Sequence, residues 1–279
     1  MVLSAASAHA DGCPKLKAMT PPALESADAA PAAGRSQVGG ASSADEGGQT
    51  TWQVVTGVRD GALVLSGGEM LVPRGVVLPT RLNPEAEIPA LAEAATRAVL
   101  LGRTLQLAPG ERDRHGRQIA DALLLTPQGA VPLSRALLAA GAAYADPVAV
   151  PACADDLRAA EHEARATGVG LWASPAARLD AANIAAVADH VGLFTVVGGR
   201  VRAANEARGL LYLNFGPRWR EDVTATLPAS RAARMSRPGL APAILPGTFV
   251  DVRGVVNQEG GPMLALRTAA ALEIEEQVR

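Results

Sequence analysis

The chain has 279 residues, enough for two small domains rather than one. Its 26 basic and 28 acidic residues leave a net charge of −2, which excludes a wholly basic, histone-like protein. No run of about 18 unbroken apolar residues is present, so no stable membrane insertion is expected. Two cysteines, Cys13 and Cys153, exclude a four-thiolate zinc site and a disulfide-dense scaffold within one chain. Lysine occurs only at Lys15 and Lys17, and so much arginine beside so much alanine fits GC-rich coding as readily as function.

Residues 1–10 end in Ala8-His9-Ala10, the small-x-small pattern that signal peptidase accepts, and read as the remnant of a signal peptide. A periplasmic or secreted protein is the expectation that follows. Residues 11–50 are dominated by Ala, Pro, Gly and Ser and read as a disordered tether. Folded character begins at Trp52. Alternating residues to Val58, a tight turn at Asp60-Gly61, and two further apolar runs to Leu78 predict three short antiparallel strands. A helix should follow Pro89 and stop at Gly102, with a strand from Arg103. After the Asp113–Arg117 turn come a strand over 118–125, a turn at Pro127-Gln128-Gly129, a helix closing on Gly141, and a last helix from about Cys153 to Thr167. Residues 51–175 therefore form one domain, a small barrel with helices packed around it. Residues 176–189 read as a helical linker. From 190 to 277 five alternating runs separated by Gly-rich or Asn-rich turns predict a second barrel of the oligonucleotide/oligosaccharide-binding (OB) type. Gly198-Gly199 within one of these runs reads as a bulge rather than a phosphate cradle.

Six segments in order carry a resemblance over about 52–173: Val58-Arg59-Asp60-Gly61, the GVVLP run ending at Pro79, GRTLQL at 102–107, DRHGR at 113–117, LLAAGAAY at 137–144 and AEHEARATGVGLW at 160–172. In composition and spacing they resemble the staphylococcal nuclease-like, or thermonuclease, family. The resemblance implies an α+β, mainly β fold: an OB-type barrel, here followed by a second OB-like β domain. It also implies phosphodiester cleavage in a pocket at the barrel mouth. There two aspartates and a carbonyl hold Ca²⁺, a glutamate helps activate water and two arginines steady the phosphate.

Carried over position by position, little of that machinery remains. The metal aspartates fall on Ala62 and Val77, the glutamate on Thr80 and one phosphate arginine on Val72. The resemblance leaves Arg117 as the one retained catalytic position, with Asp113 and Asp60 beside it. Arg74, two residues along a strand from Val72, is a candidate substitute for binding phosphate. Glu85 and Glu87 in the following loop are candidate acids. No cofactor is expected, and Ca²⁺ enters only if a site has been rebuilt around Arg117. His9, His115, His162 and His190 lack metal-ligand spacing, and Trp172 reads as core.

In the second domain, Tyr212, Phe215 and Trp219 are interleaved with Arg218 and Arg220. From Arg200 to Arg237 eight arginines stand against three acids. Rings among arginines suit stacked bases and tracked phosphates, although strand alternation also permits the rings to be core. Cys13 and Cys153 are expected to pair in an oxidising compartment. Three functions follow. The first is a nuclease-like protein that has lost catalysis and binds or scaffolds, with single-stranded nucleic acid the favoured ligand. The second is a phosphodiesterase rebuilt around Arg117, and the third an envelope protein binding glycan or peptide.

Overall fold

The computed structural model describes residues 18, 50–80, 86–218, 220–232 and 245–275. The expected signal-peptide remnant, nearly all of the 11–50 tether, Glu85 and Trp219 lie outside the described residues.

The first domain opens with β1 (Thr51–Arg59), β2 (Ala62–Leu65) and β3 (Met70–Pro73), the antiparallel meander expected from the sequence. Asp60 (φ 50°) and Gly61 (φ 70°) form the two-residue turn that pairs Arg59 with Ala62. Two positive φ values in succession give this turn the twist that matches the flanking strands. After β4 (Val76–Val77) comes α1 (Glu87–Leu100), then β5 (Thr104–Leu107), β6 (Glu111–Arg112), β7 (Gln118–Ala120), β8 (Ala122–Thr126) and β9 (Gly129–Pro132). One sheet runs in the order β6-β7-β3-β2-β1-β5-β8-β9, with β1 pairing to β2 at one end and β5 at the other. Its inward leucines, including Leu63, Leu71, Leu105 and Leu124, form the core beneath α2 (Leu133–Ala139) and α3 (Ala154–Thr167). This is the OB-type barrel with peripheral helices that the sequence led us to expect.

The chain spacing between the end of α2 and Leu171 has a local cause. The Leu171 N–H donates to the Gly141 carbonyl at 2.8 Å, and a Cβ on Gly170 would lie 2.2 Å from that same oxygen. Only glycine permits so close a backbone approach, at a φ of 58°. The contact fixes the chain leaving α3 against the chain leaving α2.

The second domain contains β12 (Phe194–Arg200), β13 (Ala203–Ala207), β14 (Leu210–Asn214), β15 (Thr224–Pro228), β16 (Phe249–Glu259), β17 (Gly261–Ala265) and β18 (Leu272–Ile274). It has its own apolar core, with Leu211, Leu213, Val223, Leu227, Val252 and Leu264 among its members, and forms the second, OB-like β unit. Two details differ from the expectation. The 176–189 segment is only partly helical: α4 is short (Ile184–Ala188), and β11 (Arg178–Asp180) pairs in parallel with β12, which makes the linker part of the second sheet. Gly198 and Gly199 lie in an unbroken ladder with β16, not in a bulge, and make room for the Arg178 guanidinium and the Phe215 ring.

The two domains share a seam. Ile88, Ala92, Tyr144 and Leu171 of the first pack with Ala177 and Val196 into a small apolar cluster. Beside it, α3 is joined to the second sheet by ion pairs. Glu161 and Arg253 are 2% and 3% exposed and meet at 2.6 Å. The other oxygen of Glu161 accepts from the Ala145 N–H at 2.7 Å, and Arg253 also donates to the Ala145 carbonyl at 3.2 Å. The buried Asp251 carboxylate receives Arg165 at 2.9 Å and Arg178 Nε at 2.7 Å. Glu273 accepts from Arg253 and lies 3.1 Å from His162, while Arg158 reaches the Ala270 carbonyl. Single removals should be costly, because each strands a buried charge. We expect Arg253→Ala or Glu161→Ala to lower stability by about 3–5 kcal/mol in urea titrations, and Glu161→Met with Arg253→Met together to cost far less than the sum.

The same network fixes a pH dependence. The hydrogen bond to Glu273 raises the His162 pKa above its ordinary 6.5. Burial pushes the Glu273 carboxyl upward, but His162, then Arg253 and Arg158, bring it below its ordinary 4.5. The histidine's contribution is complete below its unfolded pKa and is lost as pH rises through the folded value. The glutamate's is complete above its unfolded pKa and is lost as pH falls through its folded value. Thermal midpoints should be highest between about pH 4.5 and 6.5, and His162→Ala should flatten the fall on the alkaline side.

Candidate functional site

The β1–β2 turn, the loop after β4 and the Asp113–Arg117 turn meet at one end of the first barrel. A Cβ on Gly61 would lie 2.7 Å from Thr80 Cγ2, so the turn and the loop are in contact there. A cavity of about 280 Å³ opens beside them, lined by Val58, Asp60, Leu78, Thr80, Pro89 and Glu93 among others.

Arg117 reaches this end of the barrel but is held on both sides. Its Nε donates to Asp113 Oδ2 at 2.7 Å, and its Nη1 donates to the Asp60 carbonyl at 3.1 Å. Asp113 also accepts the backbone N–H groups of His115 and Arg117 on Oδ1. Burial opposes ionisation of Asp113. The Arg117 guanidinium and those N–H groups outweigh it and hold the carboxyl below its usual range. Asp113 is thus the brace that orients Arg117.

The remaining positions are of a different chemical kind. Ala62 is wholly buried, Val77 is half-buried and Thr80 is exposed. The Asp60 carboxylate is solvent-exposed and lies 3.8 Å from Arg59, and Glu93 pairs with Arg97 at 2.9 Å. Among the described residues no group of three His, Cys, Asp or Glu is placed to hold a metal ion. Arg74 points to other partners, with Asp121 at 3.6 Å and Glu111 at 3.8 Å. Glu87 lies in the first turn of α1 and accepts from Ser174 Oγ at 2.9 Å.

In the second domain the expected aromatic face divides. Leu211 and Leu213 of β14 are buried, so Tyr212 between them lies on the opposite side, half-buried. Phe215 packs against the apolar core and over Gly199. Arg218 and Arg220 are exposed, and Arg218 pairs with Glu221 at 2.7 Å. Exposed with them are Arg200, Arg202, Arg208 and Arg231. Cys153 is disulfide-bonded, and the chain's other cysteine, Cys13, lies outside the described residues.

Sequence reasoning missed the ionic seam. Its one available clue was the spacing of Arg158, Glu161, His162 and Arg165, which places four charges on a single face of α3.

No curated protein matches the chain. The sequence profile of the family described as Staphylococcal nuclease homologue matches residues 80–174, from the loop after β4 to the end of the Gly170–Ala173 turn. Ala62, Val72 and Val77 precede the matched segment. At Ala62 a carboxylate would be buried with no cation in place. Ala62→Asp is expected to lower stability by about 3–5 kcal/mol in denaturant titrations, without recovery on adding millimolar Ca²⁺.

Proposed function

We propose, from a first domain of the staphylococcal nuclease homologue family, that this is a periplasmic or secreted protein that binds nucleic acid without cleaving it. The observation that carries the reading is the chemistry of the barrel-mouth pocket. Ca²⁺ takes six to eight oxygen ligands and is bound tightly only where several carboxylates converge. The positions on which the sequence resemblance places the family's metal aspartates, Ala62 and Val77, are a buried alanine and a half-buried valine. The position the resemblance gives to the base is Thr80, and of the two acids lining the pocket Asp60 is solvent-exposed and Glu93 pairs with Arg97. These residues do not fit a Ca²⁺ site.

Arg117 supports the same reading. A phosphate clamp needs free N–H donors aimed at developing charge. Two of the five guanidinium N–H groups of Arg117 are committed, Nε to Asp113 and Nη1 to the Asp60 carbonyl, which ties the Asp113–Arg117 turn to the β1–β2 turn. It acts as a structural tie at the position where relatives bind phosphate.

Nucleic acid is favoured by charge distribution. The protein is nearly neutral overall, yet six exposed arginines lie between 200 and 231, with Glu206 and Glu221 as the exposed acids there. A local positive surface of this kind tracks a phosphate backbone and releases counterions on binding. Tyr212 on the outer side of β14 is the ring available for stacking, whereas Phe215 belongs to the core.

Two assays on the purified full-length protein test the proposal. Fluorescence anisotropy with a labelled single-stranded oligonucleotide should show binding at low salt that weakens steeply as salt rises. Replacing Arg202, Arg208 and Arg218 by Ala should reduce the salt slope by about one unit for each of these arginines that neutralises a phosphate. No cleavage above background should accompany binding, with or without Ca²⁺. Ca²⁺-dependent cleavage abolished by Arg117→Ala would replace this reading with that of a rebuilt phosphodiesterase.

A further inference from the structure

The register of the second sheet places a set of unlike side chains on one surface. Leu211 and Leu213 enter the second core, so Leu210, Tyr212 and Asn214 stand on the outer face of β14. Directly opposite them on β13 are Ala207, Asn205 and Ala203, and residues opposed across a ladder share a face. Tyr212 is therefore paired with Asn205 and flanked along β13 only by methyl groups. On its other side, β15 sets Thr226 opposite Tyr212, and Thr224 donates to Asn214 Oδ1 at 3.2 Å. Glu206, the one acid of β13, pairs with Leu211 and so stands on the opposite face.

Arginines stand at both ends of this face. Arg208 opens the two-residue turn between β13 and β14 at a φ of 51°, a place where Asn, Asp or Gly is the usual occupant. An arginine there gives up backbone stability and sets a cation at the turn. The Ala229 N–H, at the start of α5 (Ala229–Ala232), donates to the Gly209 carbonyl at 2.8 Å, which brings Arg231 to the same end. At the far end the Arg202 N–H donates to the Asn214 carbonyl at 2.8 Å. The length of β14 separates the two ends, about 13 Å at about 3.3 Å per residue.

These groups are uncommitted. At the domain seam, Arg165, Arg178 and Arg253 each hold a carboxylate. Among the described residues, by contrast, no hydrogen bond, ion pair or ring contact engages the side chains of Asn205, Tyr212, Arg202, Arg208 or Arg231.

We propose, resting on the nucleic-acid reading above, that this face takes a single strand with its bases unpaired. One base stacks on Tyr212 and is hydrogen-bonded at its edge by the Asn205 amide. The flanking phosphates are held by Arg208 and Arg231 at one end of β14 and by Arg202 at the other. A duplex keeps its base faces stacked on one another, so it would meet the arginines and leave Tyr212 unused. Stacking accepts any base, because every base has a π-face, and an amide both donates and accepts, so the site tolerates many sequences. The span between the arginines suits about four nucleotides, the low end for a barrel of this type.

Fluorescence anisotropy with the full-length protein tests the proposal, comparing a labelled DNA strand of about 12 nucleotides with the same strand annealed to its complement at one salt concentration. The single strand should bind at least about tenfold tighter than the duplex. Tyr212→Ala should weaken single-strand binding by about tenfold or more and leave duplex binding and the salt slope unchanged, because no phosphate contact is lost. Tyr212→Phe, which keeps the ring, should restore the affinity. Asn205→Ala, at an exposed position, should weaken the single strand alone. Equal affinity for the two probes, or unchanged single-strand binding by Tyr212→Ala and Asn205→Ala, would overturn the assignment of unpaired bases to this face and leave the nucleic-acid reading in place. Binding of neither probe would overturn both.

Discussion

The contact between Glu161 and Arg253 decides how the two domains are arranged. Two opposite charges that are almost fully buried are tolerable only because each is satisfied more than once: Glu161 by the Ala145 N–H, Arg253 by the Ala145 carbonyl and Glu273. Ala145 belongs to β10 (Tyr144–Ala145), which pairs with β4 of the first barrel. The ion pair thus pins together the last helix of the first domain, its short two-stranded β4–β10 sheet and strand β16 of the second domain. Arg165 and Arg178 repeat the arrangement around Asp251 a short way along β16. With so many charges committed to one geometry, sliding the domains past one another would leave several of them unpaired at once.

This docking bears on function. In the first barrel, Leu78, Pro79, Thr80 and Pro89 line both the barrel-mouth pocket and a second cavity between the domains. Val77 lines the cavity between the domains. Arg117, meanwhile, has become the link that closes the β1–β2 turn onto its neighbour. The fold is held by glycines and leucines away from the barrel-mouth pocket.

Much of this was legible in the chain. Asp60-Gly61 between alternating runs marks a hairpin because few other pairs adopt two positive φ values. The GVGLW run marked a domain end because its glycine must approach Gly141 closely, a local constraint that leaves a local trace. What was not legible is non-local. Asp251 and Arg253 alternate with buried valines, as polar residues on a solvent face do, and nothing near them announces that α3 covers that face. Arg178–Asp180 looked like linker because three residues carry no strand periodicity. Their strand comes from pairing with β12 and from the hold of Asp251 on Arg178. Tyr212 and Phe215 are close in sequence, but the end of β14 separates them onto different sides.

The proposed reading turns on the lack, among the described residues, of convergent carboxylates for Ca²⁺ at the mouth of the first barrel. Isothermal titration of the full-length protein with CaCl₂ tests it most directly, before any assumption about substrate. Only the heat of dilution is expected, with the same result for the Arg117→Ala variant. Saturable Ca²⁺ binding at micromolar to low millimolar concentration, lost on Asp60→Asn or Glu93→Gln, would contradict it and place a working metal centre at the barrel mouth.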